Sequence, residues 1–182
     1  MSQAAVFLDR DGVINKAVVI DGKPYPPKDA DSFELLDGVV EGTRALRIAG
    51  YLTIVVTNQP DIARKIQTQK EVDRIHEKLK EYVELDDIYV CPHDSIEECH
   101  CRKPKAGMLT DASKKHDIDL SRSFLVGDRW RDVDCGKMAG VKTIFIDYQY
   151  AEDLRALPDA TVGSVREAID LILDWENQHA DD

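Results

Sequence analysis

Five short, continuous apolar runs recur along the chain, and most of them stop at a polar or acidic residue. They are AAVFLD (4–9), LTIVVTN (52–58), DIYVC (87–91), FLVGD (124–128) and KTIFID (142–147). Runs this short, rich in β-branched residues and without polar alternation, fit strands buried on both faces. Helical patterns lie between them. Strands that alternate with helices specify an α/β fold, a Rossmann-like parallel sheet sandwiched by helices. A sheet of that kind binds ligands beyond the carboxyl ends of its strands. Asp9, Asp11, Thr57, Asn58, Cys91 and Asp128 all fall at such ends, so four separate strands deliver polar groups to one edge.

The helical segments carry their own punctuation. VVEGTRALRIAG ends on Gly50, a helix-terminating glycine. TQKEVDRIHEKLKEYV places Val72, Ile75, Leu79 and Val83 on one face. Residues 106–116 and 131–139 are shorter candidates. SVREAIDLILDW opens with a capping box from Ser164 to Glu167. The Pro- and Gly-rich stretch 21–33 reads as a long loop or hairpin over the active edge, and the tail from Glu176 is expected to fray.

Length and charge set the bounds. A chain of 182 residues suits one domain, expected over 1–182. Its formal net charge of −11 argues against nucleic acid or an anionic membrane as partner, though local cations could still take a small phosphorylated metabolite. There is no basic-then-apolar leader and no apolar run near 18 residues, so the cytoplasm is the expected compartment. A monomer or small homo-oligomer is expected.

Asp9-Arg10-Asp11-Gly12 sets two carboxylates two residues apart at the mouth of a buried strand. Like charges this close need a cation or a shared proton, and Mg²⁺, a hard cation for oxygen ligands, suits them. Asp11-Gly12 could instead simply turn the chain. Asp128 at a second strand end could complete a three-carboxylate pocket. Thr57 and Asn58 add neutral donors, and Arg102 and Lys103 add cations. Metal ligands, phosphate-oxygen donors and an aligned nucleophile are what phosphoryl transfer requires.

A second constellation lies at 91–101. Cys91-x-His93 and Cys99-x-Cys101 offer a Cys₃His set for tetrahedral Zn²⁺. Three buried cysteines acting as small hydrophobes would be the alternative, but Asp94, Glu97, Glu98 and Arg102 make the region too polar for that. A full Cys₃His set leaves no open position, so the zinc would be structural. His100 competes as a ligand, yet alternation along an extended CHC points it away. Cys135 lies in a predicted helix and reads as core.

Taken in order, DRDGVIN, TNQ, RKP and GDRWRD resemble the haloacid-dehalogenase-like (HAD-like) phosphohydrolases, from residue 6 to residue 147. The resemblance implies Asp9 as a nucleophile that forms an aspartyl-phosphate. It implies Asp11 as the acid that protonates the leaving oxygen and then the base that activates water. Thr57 and Lys103 would hold phosphoryl oxygens. Mg²⁺ would sit on Asp9, the Asp11 carbonyl and Asp128, with Asp132 orienting Lys103 or the metal's waters. Substrate contacts would fall to Arg10, Asn15, Asn58, Gln59, Arg102 and Arg129.

The cysteine cluster narrows the resemblance to the zinc-loop members that lack a cap domain. Neither 16–56 nor 58–102 has room for one beside its helix and strand, so loops 16–33, 59–66 and the zinc loop would select the substrate. That branch acts on D-glycero-D-manno-heptose 1,7-bisphosphate at the 7-phosphate, or on histidinol phosphate. A non-catalytic, zinc-stapled binding protein is the rival from another class, but no catalytic residue is missing. Pro60, Asp61 and Lys65 stand where the branch usually carries small residues, and Asp61 needs Arg64 or Lys65 to offset its charge. Trp130 is expected to pack on a neighbour at a helix start. His76 and His116 are expected at the solvated surface, and Asp147-Tyr148 at a strand-end turn.

Overall fold

The computed structural model describes residues 2–177. Six parallel strands form its main sheet in the order β5-β4-β1-β6-β7-β8. These are β1 (Ala5–Leu8), β4 (Leu52–Asn58), β5 (Asp87–Cys91), β6 (Phe124–Gly127), β7 (Lys142–Ile146) and β8 (Ala160–Val162). A small antiparallel hairpin, β2 (Val18–Ile20) with β3 (Lys23–Tyr25), lies apart. The long helices are α1 (Val39–Ile48), α2 (Gln69–Tyr82), α3 (Gly107–His116), α4 (Trp130–Ala139) and α5 (Val165–Asn177).

The five apolar runs are five of the six strands. The sixth, β8, has no counterpart among those runs: three residues after Pro158-Asp159 carry too little pattern. Along β1, Val6 and Leu8 enter one core cluster while Ala5 and Phe7 enter the other. Helices α1, α2 and α5 pack into the first cluster through Leu46, Ile75, Leu79, Ile169 and Ile172. Helices α3 and α4 close the opposite face through Met108, Leu109, Ala112 and Cys135. Cys135 is fully buried core, as expected.

Local signals account for the helix ends. Gly50, at φ +92°, donates to Arg47, and Tyr51 donates to Leu46, which together satisfy the last carbonyls of α1. Thr68 caps α2 by accepting from the Glu71 amide at 3.2 Å. The capping box before α5 is half reciprocal. Ser164 Oγ accepts from the Glu167 amide, but the Glu167 carboxylate takes the Gly163 amide one residue earlier. Helix α5 continues through Asn177, and the rest of the expected tail lies outside the described residues.

One surface assignment is overturned. His76 is 7% exposed, on the same stripe of α2 as Val72, Ile75 and Leu79. His116 is half-buried and bonds Asp87 at 2.8 Å. Asp147 does hold a strand-end turn, accepting from the Gln149 amide at 2.8 Å. The stretch 21–33 supplies only the second strand of the hairpin before continuing as loop. No cap domain interrupts the described chain, so the carboxyl edge of the sheet is covered by loops, the β2–β3 hairpin and the start of α4. Among the described residues, no helix is long and apolar enough to cross a membrane.

Candidate active site

Strands β1 and β6 are neighbours, with Leu8 opposite Val126. Asp9 and Asp128, each just past its strand, therefore emerge side by side. Carboxylate oxygens of Asp9, Asp128 and Asp132 lie within 4.8 Å of one another, and all three residues are buried. Gly12 permits this crowding. Its φ is +88°, and a Cβ there would come within 1.9 Å of an Asp128 oxygen.

Lys103 reaches into the same cluster from the loop after β5. Its Nζ lies 2.6 Å from Asp132 Oδ1, 2.9 Å from Asp9 Oδ1 and 2.8 Å from the Val56 carbonyl. Burial alone would push the lysine pKa down, but Asp132 and Asp9 hold it well above its ordinary value. Burial drives the Asp9 carboxyl up to about 6, with repulsion from Asp132 and Asp11 adding to it and Lys103 opposing. Burial and then the charges of Asp9 and Asp132 raise Asp128 well above the usual carboxylate range.

Both Asp128 oxygens are buried without a hydrogen-bond partner. Orphaned carboxylate oxygens of this kind carry a large desolvation cost unless a cation meets them. The donor set is hard oxygen throughout, so it fits a divalent cation of the Mg²⁺ type.

Asp11 is clamped. Arg10 grips it through Nε and Nη2 at 3.0–3.1 Å, Asn15 Nδ2 donates at 3.0 Å, and Gln59 Nε2 donates at 2.8 Å. Behind the clamp, His76 Nε2 meets Arg10 Nη1 at 3.1 Å. Burial, with Arg10 next, pushes the His76 pKa down to about 4, so the ring is neutral and can accept from the guanidinium.

The six side chains expected at the substrate are thereby sorted. Arg10, Asn15 and Gln59 are at most 1% exposed and turn inward onto Asp11. Asn58 exchanges two hydrogen bonds with the Lys103 backbone, at 3.0 and 3.1 Å. Arg129 is tied to Glu152 by several contacts, including 2.9 Å from Nε. Arg102 donates to the His93 carbonyl at 3.0 Å, and Asn58, Arg102 and Arg129 all line the cavity. Thr57 is 1% exposed, its hydroxyl accepting from Gln59 at 2.8 Å.

The cavity over these groups is about 260 Å³. Asp9, Asp11, Lys103 and Asp128 form its floor. Lys23 and Tyr25 of the hairpin, Ser95 of the zinc loop and Arg131 of α4 join the wall; none was singled out as a substrate contact in the sequence. Asp61 is also there, and Arg64 offsets it: that guanidinium contacts Asp61 at 3.3 Å and chelates Asp94 at 2.7 and 2.9 Å.

The cysteine cluster assembles as spaced. Cys101 Sγ lies 3.3 Å from Cys91 Sγ, 3.5 Å from Cys99 Sγ and 3.3 Å from His93 Nδ1. Cys91 Sγ lies 3.6 Å from both His93 Nδ1 and Cys99 Sγ. The sulfurs are too far apart for a disulfide. Three cysteine sulfurs and one imidazole nitrogen converging within 4.8 Å fit a tetrahedral Zn²⁺ site. His100 points away and meets Asp111 at 2.8 Å.

Comparison with known proteins agrees with this geometry. A HAD-hydrolase-like family model matches residues 100–168. A D-glycero-β-D-manno-heptose-1,7-bisphosphate 7-phosphatase of Salmonella typhi is 41% identical over 154 residues, spanning 78% of this chain and 79% of its own. The α-anomer enzyme of Campylobacter jejuni is 40% identical over 151 residues, spanning 80% and 83%. Among solved structures, the D,D-heptose 1,7-bisphosphate phosphatase of B. bronchiseptica, complexed with magnesium and phosphate, superposes with a TM-score of 0.80. It is 28% identical, and the match covers 94% of this chain and 99% of that one. The buried carboxylates, the lysine among them and these likenesses converge: the chain is a HAD-like phosphatase and belongs to the family of the heptose-1,7-bisphosphate 7-phosphatases.

Proposed function

We propose that this chain, as one capless domain, hydrolyses D-glycero-D-manno-heptose 1,7-bisphosphate at the 7-phosphate. The observation that carries the reading is the assembly of Asp9, Lys103, Asp128 and Asp132 beneath a cation-lined cavity. Relatives near 40% identity that carry that activity in their names supply the substrate.

Both contacts to Asp9, from Lys103 and from the Arg10 amide, fall on Oδ1. Oδ2 is therefore the attacking oxygen. It bonds to phosphorus as the phosphorus–oxygen bond to the sugar breaks, and Asp11 gives its proton to the departing oxygen. Asp11 then takes a proton from water, which attacks the aspartyl-phosphate and releases inorganic phosphate and free Asp9. The clamp from Arg10, Asn15 and Gln59 holds Asp11 in place for both transfers. Lys103 and the Thr57 hydroxyl, which still has its own proton to donate, hold the phosphoryl oxygens.

Asp9, the Asp11 carbonyl and Asp128 would hold Mg²⁺, which when bound supplies charge neutralisation between the carboxylate and the phosphate. Cys91, His93, Cys99 and Cys101 would hold Zn²⁺ as a structural staple. A reduced cysteine cluster of this kind suits the cytoplasm, and a monomer or small homo-oligomer would suffice because one chain supplies every group named.

The test is a comparison of kcat/KM for both anomers of heptose 1,7-bisphosphate, histidinol phosphate and common sugar monophosphates. Heptose 1,7-bisphosphate is expected to lead by at least about tenfold. A lead by histidinol phosphate or by a monophosphate would refute the substrate.

A further inference from the structure

Glu152 stands in the loop between β7 and β8, yet its carboxylate meets the start of α4. Oε1 accepts from the Trp130 amide at 3.2 Å and from Arg129 Nε at 3.1 Å. Oε2 accepts from the same Nε at 2.9 Å and from Arg129 Nη2. An acid placed there satisfies an amide that the helix itself leaves open, and it meets the positive end of the helix dipole. The neighbouring Ala151 amide donates to the Gly22 carbonyl at 3.0 Å, so the same segment also ties down the β2–β3 hairpin.

From Arg129 the contacts run inward without a break. Its amide donates to Asp132 Oδ2 at 3.1 Å. Asp132 Oδ1 accepts from Lys103 Nζ at 2.6 Å, and that ammonium lies 2.9 Å from Asp9 Oδ1. The turn is packed tightly enough to transmit a displacement: a Cβ on Gly127 would come within 2.1 Å of the Asp132 Cβ. Arg129 also has a competing attraction. It lines the cavity with Asp128, whose charge acts on it and whose two oxygens have no hydrogen-bond partner. Released from Glu152, the guanidinium would turn toward those carboxylates, and the start of α4 would lose its outer anchor.

We infer that Glu152 is a positioning residue for the phosphatase reaction: it holds Arg129 and the first turn of α4, so that Asp132 keeps the Lys103 ammonium on the nucleophile. Glu152 stands behind the residues that line the cavity and acts through Arg129 and Asp132. The inference rests on the proposed function for the roles of Asp9 and Lys103, and not for the identity of the sugar.

A double-mutant cycle tests it, with kcat and KM measured at saturating Mg²⁺ on heptose 1,7-bisphosphate and on p-nitrophenyl phosphate. Glu152→Gln keeps the volume and an acceptor for the Trp130 amide but sets an amide group against the guanidinium. It should lower kcat by about 3- to 10-fold, with KM changed by less than about twofold. In an Asp132→Asn background the same change should lower kcat by less than about twofold. Asparagine has a single oxygen there and cannot serve both Lys103 and the Arg129 amide, so the path is already cut. Circular dichroism and Tm confirm the fold of each variant; if Glu152→Gln does not fold, Glu152→Asp takes its place in the cycle with the same two outcomes. An equal kcat loss in both backgrounds, a change in KM alone, or no loss overturns the positioning role. If wild type turns over p-nitrophenyl phosphate but not heptose 1,7-bisphosphate, the substrate assignment falls, while non-additive losses on p-nitrophenyl phosphate still support Glu152.

Discussion

Lys103 Nζ lies 2.9 Å from Asp9 Oδ1, and the lysine side chain is only 2% exposed. Asp132, equally buried, takes the other side of the ammonium at 2.6 Å. The lysine is thus a cation set among three buried carboxylates, and it meets Asp9, the proposed nucleophile, before any substrate arrives.

Replacing it should therefore cost more than a phosphate contact. Lys103→Met is expected to lower kcat by about 10²–10³-fold, as for other preorganised charge donors. Asp132→Asn, which leaves the Lys103–Asp9 pair in place, should cost about tenfold. Steady-state assays at saturating Mg²⁺ check this, and an Asp132 loss equal to that of Lys103 would contradict the order.

The clamp on Asp11 gives a second expectation. Arg10→Lys keeps the charge but cannot span both carboxylate oxygens and His76 together. It should cut kcat by about 10–100-fold with little change in KM, because the guanidinium is fully buried against Asp11 and His76. A rise in KM alone would return Arg10 to substrate binding.

His76 makes stability depend on pH. Its folded pKa, about 4, lies below its unfolded value of 6.5. Between those values the unfolded chain takes up a proton that the native state refuses, so stability rises with pH across the window and is lost as pH falls. The loss between pH 7 and pH 4 should be about 3 kcal/mol from this residue. His76→Gln keeps an acceptor for Arg10 and cannot titrate. Its Tm should fall less steeply than that of wild type between pH 6.5 and 4; parallel curves would remove His76 as the cause.

The same residue shows where sequence reading stops. Strand ends can be read because continuous apolar runs in an α/β chain have few alternatives, and that alone brought Asp9, Thr57 and Asp128 to one edge, whereas Lys103 had to be read from the RKP motif. The Cys₃His set could be read from its spacing. His76 was legible in principle, since it stands four residues after Val72 and three before Leu79, but its charged neighbours suggested solvent. Arg10 was not legible. A long side chain beside an aspartate can point outward or inward, and the packed position of His76 on α2 goes with the inward course it takes here. Arg155 lies over the Trp130 ring, its guanidinium carbon 3.5 Å from the centroid, from a separate stretch of chain, a juxtaposition that no local pattern encodes.

The zinc loop ends two residues before Lys103, so metal loss should reach the active site. Wild type purified without chelator is expected to hold about one zinc per chain. Cys101→Ser should lose it, with a lowered Tm and at least about tenfold lower kcat even at saturating Mg²⁺. Zinc-free protein with an unchanged Tm and full activity would disconnect the staple from Lys103.

The central claim is that Asp9 is the nucleophile of a phosphatase acting at the 7-phosphate, and product analysis tests it most directly. Wild type with heptose 1,7-bisphosphate and Mg²⁺ should release one inorganic phosphate per heptose 1-phosphate formed, and Asp9→Asn, folded by circular dichroism, should lose at least about 10⁴-fold in rate. Formation of heptose 7-phosphate, or near-normal turnover by Asp9→Asn, would contradict the account.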